Sequence, residues 1–259
     1  MEVIWLCVFA FLAGLLDSMV GGGGLIQVPA LFLFLPENAS SAVATVLGTN
    51  KLSSMCGTAM AAFQYSRRIN LDWRTIVPAA ITAFLFSFLG ALVVARLQPA
   101  MAKPFVLVLL VAVAAYTFFR HDLGDRDAPG LKSRTATLVA VGVGAGIGFY
   151  DGFFGPGTGS FLIFCFVSIF GYKFIVASAS AKFVNLATNV SAVAFFAVTN
   201  HILYKYALPM GLCNIAGAIA GTHCAILKGN RFIQRLFLLT VTVLILRYGW
   251  EVLTQLFHQ

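Results

Sequence analysis

Two apolar segments, residues 3–35 and 136–170, are each too long for one membrane crossing, and each is interrupted by glycines just behind an aspartate. The first contains GLLDSMVGGGGL from Gly14 to Leu25, and the second GFYDGFFGPGTG from Gly148 to Gly159. One offset superposes Gly14 on Gly148, Asp17 on Asp151, Gly21 on Gly155 and Gly23 on Gly157. An ionised side chain at the bilayer centre costs about 3 kcal/mol or more by insertion scales. A chain that carries this cost twice, at matching places, reads as two related halves.

The surroundings of the two segments fix the class. Hydrophobic residues make up 60% of the chain and charged residues 10%, against about 25% charged in a soluble domain. Further apolar stretches cover 39–65, 75–95, 104–119, 174–200, 206–227 and 236–257. Most exceed the ~20 residues that carry a helix across the hydrocarbon. Backbone polar groups in lipid must be satisfied within the segment, so helices are expected throughout, giving an all-α integral membrane protein. The first segment has no small-residue cleavage site after its apolar part and is expected to be retained. The longest polar stretch, RHDLGDRDAPGLKSR from Arg120 to Arg134, divides a first repeat (1–119) from a second (135–259). Cys7, Cys56, Cys165, Cys213 and Cys224 all sit in apolar stretches without metal-ligand spacing, so packing is their expected role and no cofactor is implied.

The net charge of +8 does not read as a nucleic-acid stripe, because the basic residues flank the spans. They also discriminate between topologies. If each glycine-broken segment is a re-entrant hairpin, each half crosses three times more and the halves are inverted. Placing Arg67, Arg68 and Arg74 inside then puts Arg120, Arg126, Lys132, Arg134, Lys173, Lys228, Arg231 and Arg235 inside too, with Arg96, Lys103 and Lys205 outside. If instead each segment crosses, Lys173, Lys228, Arg231 and Arg235 move outside and Lys205 inside, and the bias falls to eight against six. The expectation is therefore an inverted repeat with a cytoplasmic linker at 120–134.

Inverted repeats with a broken segment at the same place in each half are the signature of a secondary transporter whose substrate binds near the midplane. Half-helix N-termini aim unpaired N–H groups and positive dipole ends at that point, which suits an anion. Glycines there permit φ > 0 and close backbone approach, while Pro29 and Pro156 add breaks or caps. The competing reading is that the glycines only allow tight helix packing.

Together DSMVGGGGLIQVPAL, TNKL, GFYDGFFGPGTGSFL and AKFVNLATN resemble the TauE/SafE, or sulfite exporter, family of bacterial membrane proteins, and especially its YfcA-like branch. The resemblance implies a multi-pass transporter of the cytoplasmic membrane, a probable exporter, for sulfite, organosulfonates or related sulfur-containing anions. Between ASSAVATVLGTNKL and its second-half counterpart ASASAKF the register shifts, since the offset of 134 at the glycine motifs falls to 131 at Lys51 and Lys182, about three residues more in the first half.

Of the 17 Lys and Arg, only Lys51, Lys182 and Arg247 lie well inside spans. Ser178, Lys182, Asn185 and Asn189 form one polar helical stripe, and Lys51, Ser54 and Thr58 a weaker one adjoining Thr49 and Asn50. The lysines either hold an anion between the glycine turns or pair with Asp17 and Asp151 to lock the repeats together. The better-equipped stripe gives Lys182 the larger expected effect on binding. The candidate binding set is Gly21, Gly22, Gly23, Asn50, Lys51, Gly155, Gly157, Thr158, Lys182, Asn185 and Asn189. Asp17 and Asp151 either cap the following half-helix or carry a coupling proton. His223 reads as a satisfied core imidazole, Gly217 and Gly221 as packing positions, and Arg247 with Glu251 as a rim ion pair. Partners are a small anion and the bilayer, with a homodimer a possible assembly. A cation or metal transporter using Asp17 and Asp151 has two buried lysines against it. An intramembrane aspartyl protease would need two carboxylates sharing a proton and lacks its GxGD motif here.

Overall fold

The computed structural model describes residues 2–36, 43–95 and 133–257, and among these it contains eight helices. They are α1 (Glu2–Val20), α2 (Gly23–Phe34), α3 (Val43–Ser66), α4 (Trp73–Val94), α5 (Ser133–Phe153), α6 (Thr158–Ser168), α7 (Phe174–Val198) and α8 (Tyr204–Phe257). The helix of α8 is broken at Gly229, where φ is 70° and ψ −164°, between the two spans expected at 206–227 and 236–257. The span expected at 104–119 lies outside the described residues, as does most of the 120–134 linker; Ser133 and Arg134 already belong to α5. The side chains of Arg247 and Glu251 are likewise outside the described residues.

Among the described residues, five stretches are long and apolar enough to cross a membrane: Glu2–Val20, Trp73–Val94, Arg134–Phe153, Phe174–Val198 and Tyr204–Leu239. At 24 residues, α3 is long enough as well. It is more polar because Thr49, Asn50, Lys51, Ser53 and Thr58 are buried inward, against α7 and α8. The outward side chains are apolar, among them Ile4, Ile81, Leu85, Leu138 and Leu212, as a lipid-facing surface requires.

Both glycine-broken segments fold back on themselves. The end of α2 returns to the start of α1, where Phe34 stacks on Trp5 at 6.2 Å and meets Phe9 at 5.7 Å between ring centroids. In the second half Phe161 of α6 packs edge-on against Tyr150 of α5 at 5.3 Å. The arms are unequal, a long helix of 19 or 21 residues and a short one of 12 or 11. Aromatic rings close the first hairpin, whereas Gly142, Gly146 and Cys165 leave a crevice of about 190 Å³ along the second.

Packing between the halves is reciprocal. The first helix of each half lies beside the fourth of the other and runs parallel to it. Gly14, Gly217 and Gly221 let α1 and α8 touch at Asn214, Phe11 and Leu15, while Gly144, Gly148 and Gly152 let α5 and α4 touch at Ala79, Ala83 and Ser87. Adding a Cβ at most of these glycines would overlap the facing backbone, so the packing expectation for Gly217 and Gly221 holds. At the centre α3 crosses α7 antiparallel: Gly48 faces Phe196 and His201, and Leu203 donates its N–H to Thr49 at 3.1 Å. Farther along, Tyr65 and Ser178 converge on the end of α1, donating to the carbonyls of Ser18 at 2.9 Å and Met19 at 2.6 Å. Two apolar clusters flank this crossing. One gathers Phe161, Phe166, Phe174 and Ala177, the other Leu6, Leu31, Val46 and Phe196. The polar residues lie where one cluster gives way to the other.

Candidate functional site

Each hairpin turns on two glycines with positive φ. These are Gly21 (77°) and Gly22 (92°) in the first half, Gly155 (88°) and Gly157 (89°) in the second. Gly22 and Gly157 are the N-cap residues of α2 and α6, both left-handed and both without a side chain to bond the first-turn N–H groups. The single sequence offset therefore fails after Gly21 and Gly155. Pro156 is an extra turn residue in the second half, and Gly23, expected in the turn, is already the first residue of α2.

The two turns meet directly. A Cβ on Gly21 would overlap the backbone of Gly159 and Ser160, so the short helices begin against one another. The carbonyls that α1 leaves open at its C-terminus are met from other elements, Ser18 by Tyr65, Met19 by Ser178, and Val20 by Ser160 at 3.1 Å. This satisfies acceptors that lipid cannot.

The buried charges pair across the halves. Lys51 Nζ lies 2.6 Å from Asp151 Oδ2, and Lys182 Nζ lies 2.8 Å from Asp17 Oδ2. Because α3 and α7 run antiparallel, each lysine reaches the aspartate of the opposite hairpin. Asp17 also caps its own turn, accepting the Gly23 N–H on Oδ1 at 3.2 Å. Lys51 donates in addition to Asn189 Oδ1 at 3.1 Å, and Asn189 donates to Asn185 Oδ1 at 3.3 Å.

A cavity of about 20 Å³ sits between the two turns. Of the expected residues, Asp17, Gly22, Asn50, Lys51, Asp151, Gly155, Gly157, Thr158, Asn185 and Asn189 line it. Three do not. Gly21 is consumed by the contact with Gly159, Gly23 packs on Ala13 and the Asp17 Cβ, and Lys182 lies behind Asp17 with none of its side chain exposed. Gly24, Ser54 and Gly159 complete the wall, of which only Ser54 belonged to a stripe legible in the sequence. Asn50 is 4% exposed and its Oδ1 has no protein partner, so one amide group on the wall keeps unmet hydrogen-bonding capacity.

Two other features depart from expectation. His223 is exposed, not a core residue, and lines a groove between α3 and α8 with Arg67 and Arg68. Gln27 and Asn214, unremarkable in the sequence, form a buried amide pair at 2.9 Å beside the first hairpin.

The family model described as sulfite exporter TauE/SafE matches residues 6–248. A probable membrane transporter protein, ORF9, of Sinorhizobium is 36% identical over 246 residues, covering 94% of this chain and 90% of the relative. A probable membrane transporter protein of Haemophilus influenzae is 36% identical over 232 residues, covering 89% and 88%. The probable membrane transporter protein YfcA of Escherichia coli K12 is 29% identical over 235 residues, covering 91% and 85%. No solved structure matches the chain.

Proposed function

The chain belongs to the sulfite exporter TauE/SafE family of membrane transporters, and from that premise we propose that it moves a small oxyanion, of the sulfite or organosulfonate class, through the site between its two hairpins. The observation that carries the reading is Lys51, whose ammonium stands on the cavity wall where the first turns of α2 and α6 converge. Charge bookkeeping gives the sign. The two crossed pairs cancel, and each half-helix N-terminus is equivalent to roughly +0.5 of a charge. The opposing C-terminus of α1 is met by the hydroxyls of Tyr65, Ser178 and Ser160. The Lys51 ammonium and the two half-helix N-termini are then the positive features that face the cavity. Both aspartates are already engaged by ammonium groups, which leaves a cation without free carboxylates and a protease without a proton-sharing dyad.

The cavity of about 20 Å³ holds one water-sized occupant. An oxyanion must therefore part the two turns on loading, and the Lys51–Asp151 pair exchanges its carboxylate for the substrate as it does so. Replacing the pair by Lys51→Gln with Asp151→Asn keeps the wall neutral and removes the ammonium. Its expected effect on anion uptake in proteoliposomes is a ten- to hundred-fold loss of affinity, the worth of one charged hydrogen bond. The matching Lys182→Gln with Asp17→Asn variant should lose less, because Lys182 does not face the cavity. A panel of sulfite, sulfoacetate, thiosulfate, sulfate and acetate identifies the substrate. If the Lys51 variant folds and moves all of them at wild-type rates, the site is elsewhere.

The same reading takes the halves as inverted in a bacterial cytoplasmic membrane. Its support is the antiparallel crossing of the corresponding helices α3 and α7, the fold-back of both hairpins and the eleven-to-three bias of basic residues. In a cysteine-free background, single cysteines at both termini should label from outside and cysteines within 120–134 from inside. Termini on opposite faces would sink the inversion.

A further inference from the structure

A groove of about 590 Å³ runs between α3 and α8, distinct from the cavity between the turns. The two helices lie parallel here, so the groove has a direction. Met60 and Ile219 line one end, Phe63, Gln64 and His223 the middle, and Arg67, Arg68 and Leu227 the other. The six residue steps of α3 from Met60 to Ser66 rise about 9 Å, and Arg67 and Arg68 follow in the turn beyond it. Over that length the wall changes from wholly apolar to dicationic, and the cationic end coincides with the C-terminus of α3, where a helix leaves the hydrocarbon.

We propose that this groove binds an anionic phospholipid, its phosphate between Arg67 and Arg68 and one acyl chain against Met60, Phe63 and Ile219. Charge complementarity selects the occupant. Both arginines are exposed, and among the described residues no carboxylate pairs with either. Asp72, the acidic residue of the adjoining loop, is occupied in capping α4 through the Arg74 N–H at 3.1 Å and the Thr75 hydroxyl at 2.9 Å. It also accepts the Tyr172 hydroxyl at 3.0 Å. Arg67 lies over the Phe63 ring at 5.3 Å, a stacking that leaves the guanidinium edge free for bidentate bonding to phosphate oxygens. Gln64 and His223 supply donors beside it. Phe63 is 56% exposed and Leu227 71%, so the apolar part of the groove opens sideways, where an acyl chain lies. A free anion would use the arginines and leave that apolar length empty. A zwitterionic headgroup would bring a cation to two guanidiniums.

The test uses the full chain purified in detergent, with lipid retention read by native mass spectrometry and affinity by titration of phosphatidylglycerol, phosphatidylcholine or inorganic phosphate. Phosphatidylglycerol is expected to bind the wild type more tightly than phosphatidylcholine. Arg67→Gln with Arg68→Gln should weaken it by about thirty-fold, the combined worth of two basic side chains at an anionic headgroup. Ile219→Trp, which leaves both charges and fills the chain-binding end, should also release the lipid. Lys205→Gln, at the other end of α8, should change nothing. Equal binding of the two lipids overturns the proposal, as does unchanged affinity in both groove variants. An equal loss in Lys205→Gln would reduce the effect to nonspecific charge, and competition by inorganic phosphate at similar concentration would make the groove a free-anion site. If the double arginine variant fails to fold, Ile219→Trp and Arg68→Gln alone decide between these results.

Discussion

Lys51→Met is expected to destabilise the protein by about 3–5 kcal/mol, the penalty for stranding one partner of a buried ion pair. Its partner Asp151 keeps 1% of its side chain exposed, so water cannot replace the ammonium. Lys182→Met should fall at the low end of that range. Asp17 is 18% exposed and retains the Gly23 N–H, both of which offset part of the lost charge. The double variants Lys51→Met with Asp151→Asn and Lys182→Met with Asp17→Asn should each recover most of the stability, because a neutral replacement of a buried pair is often close to neutral in free energy. The Asp17→Asn change also keeps an oxygen for the Gly23 N–H. Thermal unfolding in detergent reads all four. Single variants as stable as the wild type would mean that the crossed pairs do not hold the halves together.

The glycine break in each long apolar segment was legible, twice and at matching places, but a broken crossing and a re-entrant hairpin both fit it, and only the distribution of basic residues favoured the hairpin. The crossed pairing was not legible. Either lysine could have met either aspartate, and the choice is made by the antiparallel crossing of α3 and α7, a tertiary fact with no local signal. Helical periodicity correctly put Ser178, Lys182, Asn185 and Asn189 on one face, but it could not divide that face. Its first two members are taken up by the end of α1, Ser178 on the Met19 carbonyl and Lys182 on Asp17. Only Asn185 and Asn189 reach the cavity, which is why Lys51, on the poorer stripe, is the lysine at the wall. The slip in register after Gly155 has a similar origin: Pro156 cannot be identified as an extra turn residue from glycine spacing alone. His223 was misplaced because apolar neighbours in sequence do not separate a core position from a groove open to lipid.

Gly21→Ala should be among the most damaging changes of a single methyl group, because it combines backbone overlap with a positive φ. Gly21 has φ +77°, a conformation that costs an L-residue about 1–2 kcal/mol. Its new Cβ would also overlap the Gly159 carbonyl carbon and the Ser160 nitrogen. Those are backbone atoms of the opposite hairpin, which cannot rotate away as a side chain would, and overpacking of this kind adds about 1–3 kcal/mol. The expected total is about 3 kcal/mol or more, with the two turns forced apart and the crossed ion pairs stretched. Gly24→Ala separates this effect from the chemistry of the cavity. A Cβ there would stand 3.4 Å from Pro156 Cα and 3.8 Å from Asn50 Nδ2, so the fold should tolerate it within about 1 kcal/mol. Gly24 nevertheless lines a cavity of about 20 Å³, and a methyl group in that space competes with the substrate. The pair of variants should therefore split. Gly21→Ala lowers the unfolding temperature and abolishes uptake, whereas Gly24→Ala unfolds like the wild type and transports poorly. A Gly21→Ala protein with wild-type stability would show that the turns do not touch, and a fully active Gly24→Ala protein would move the substrate path out of the cavity.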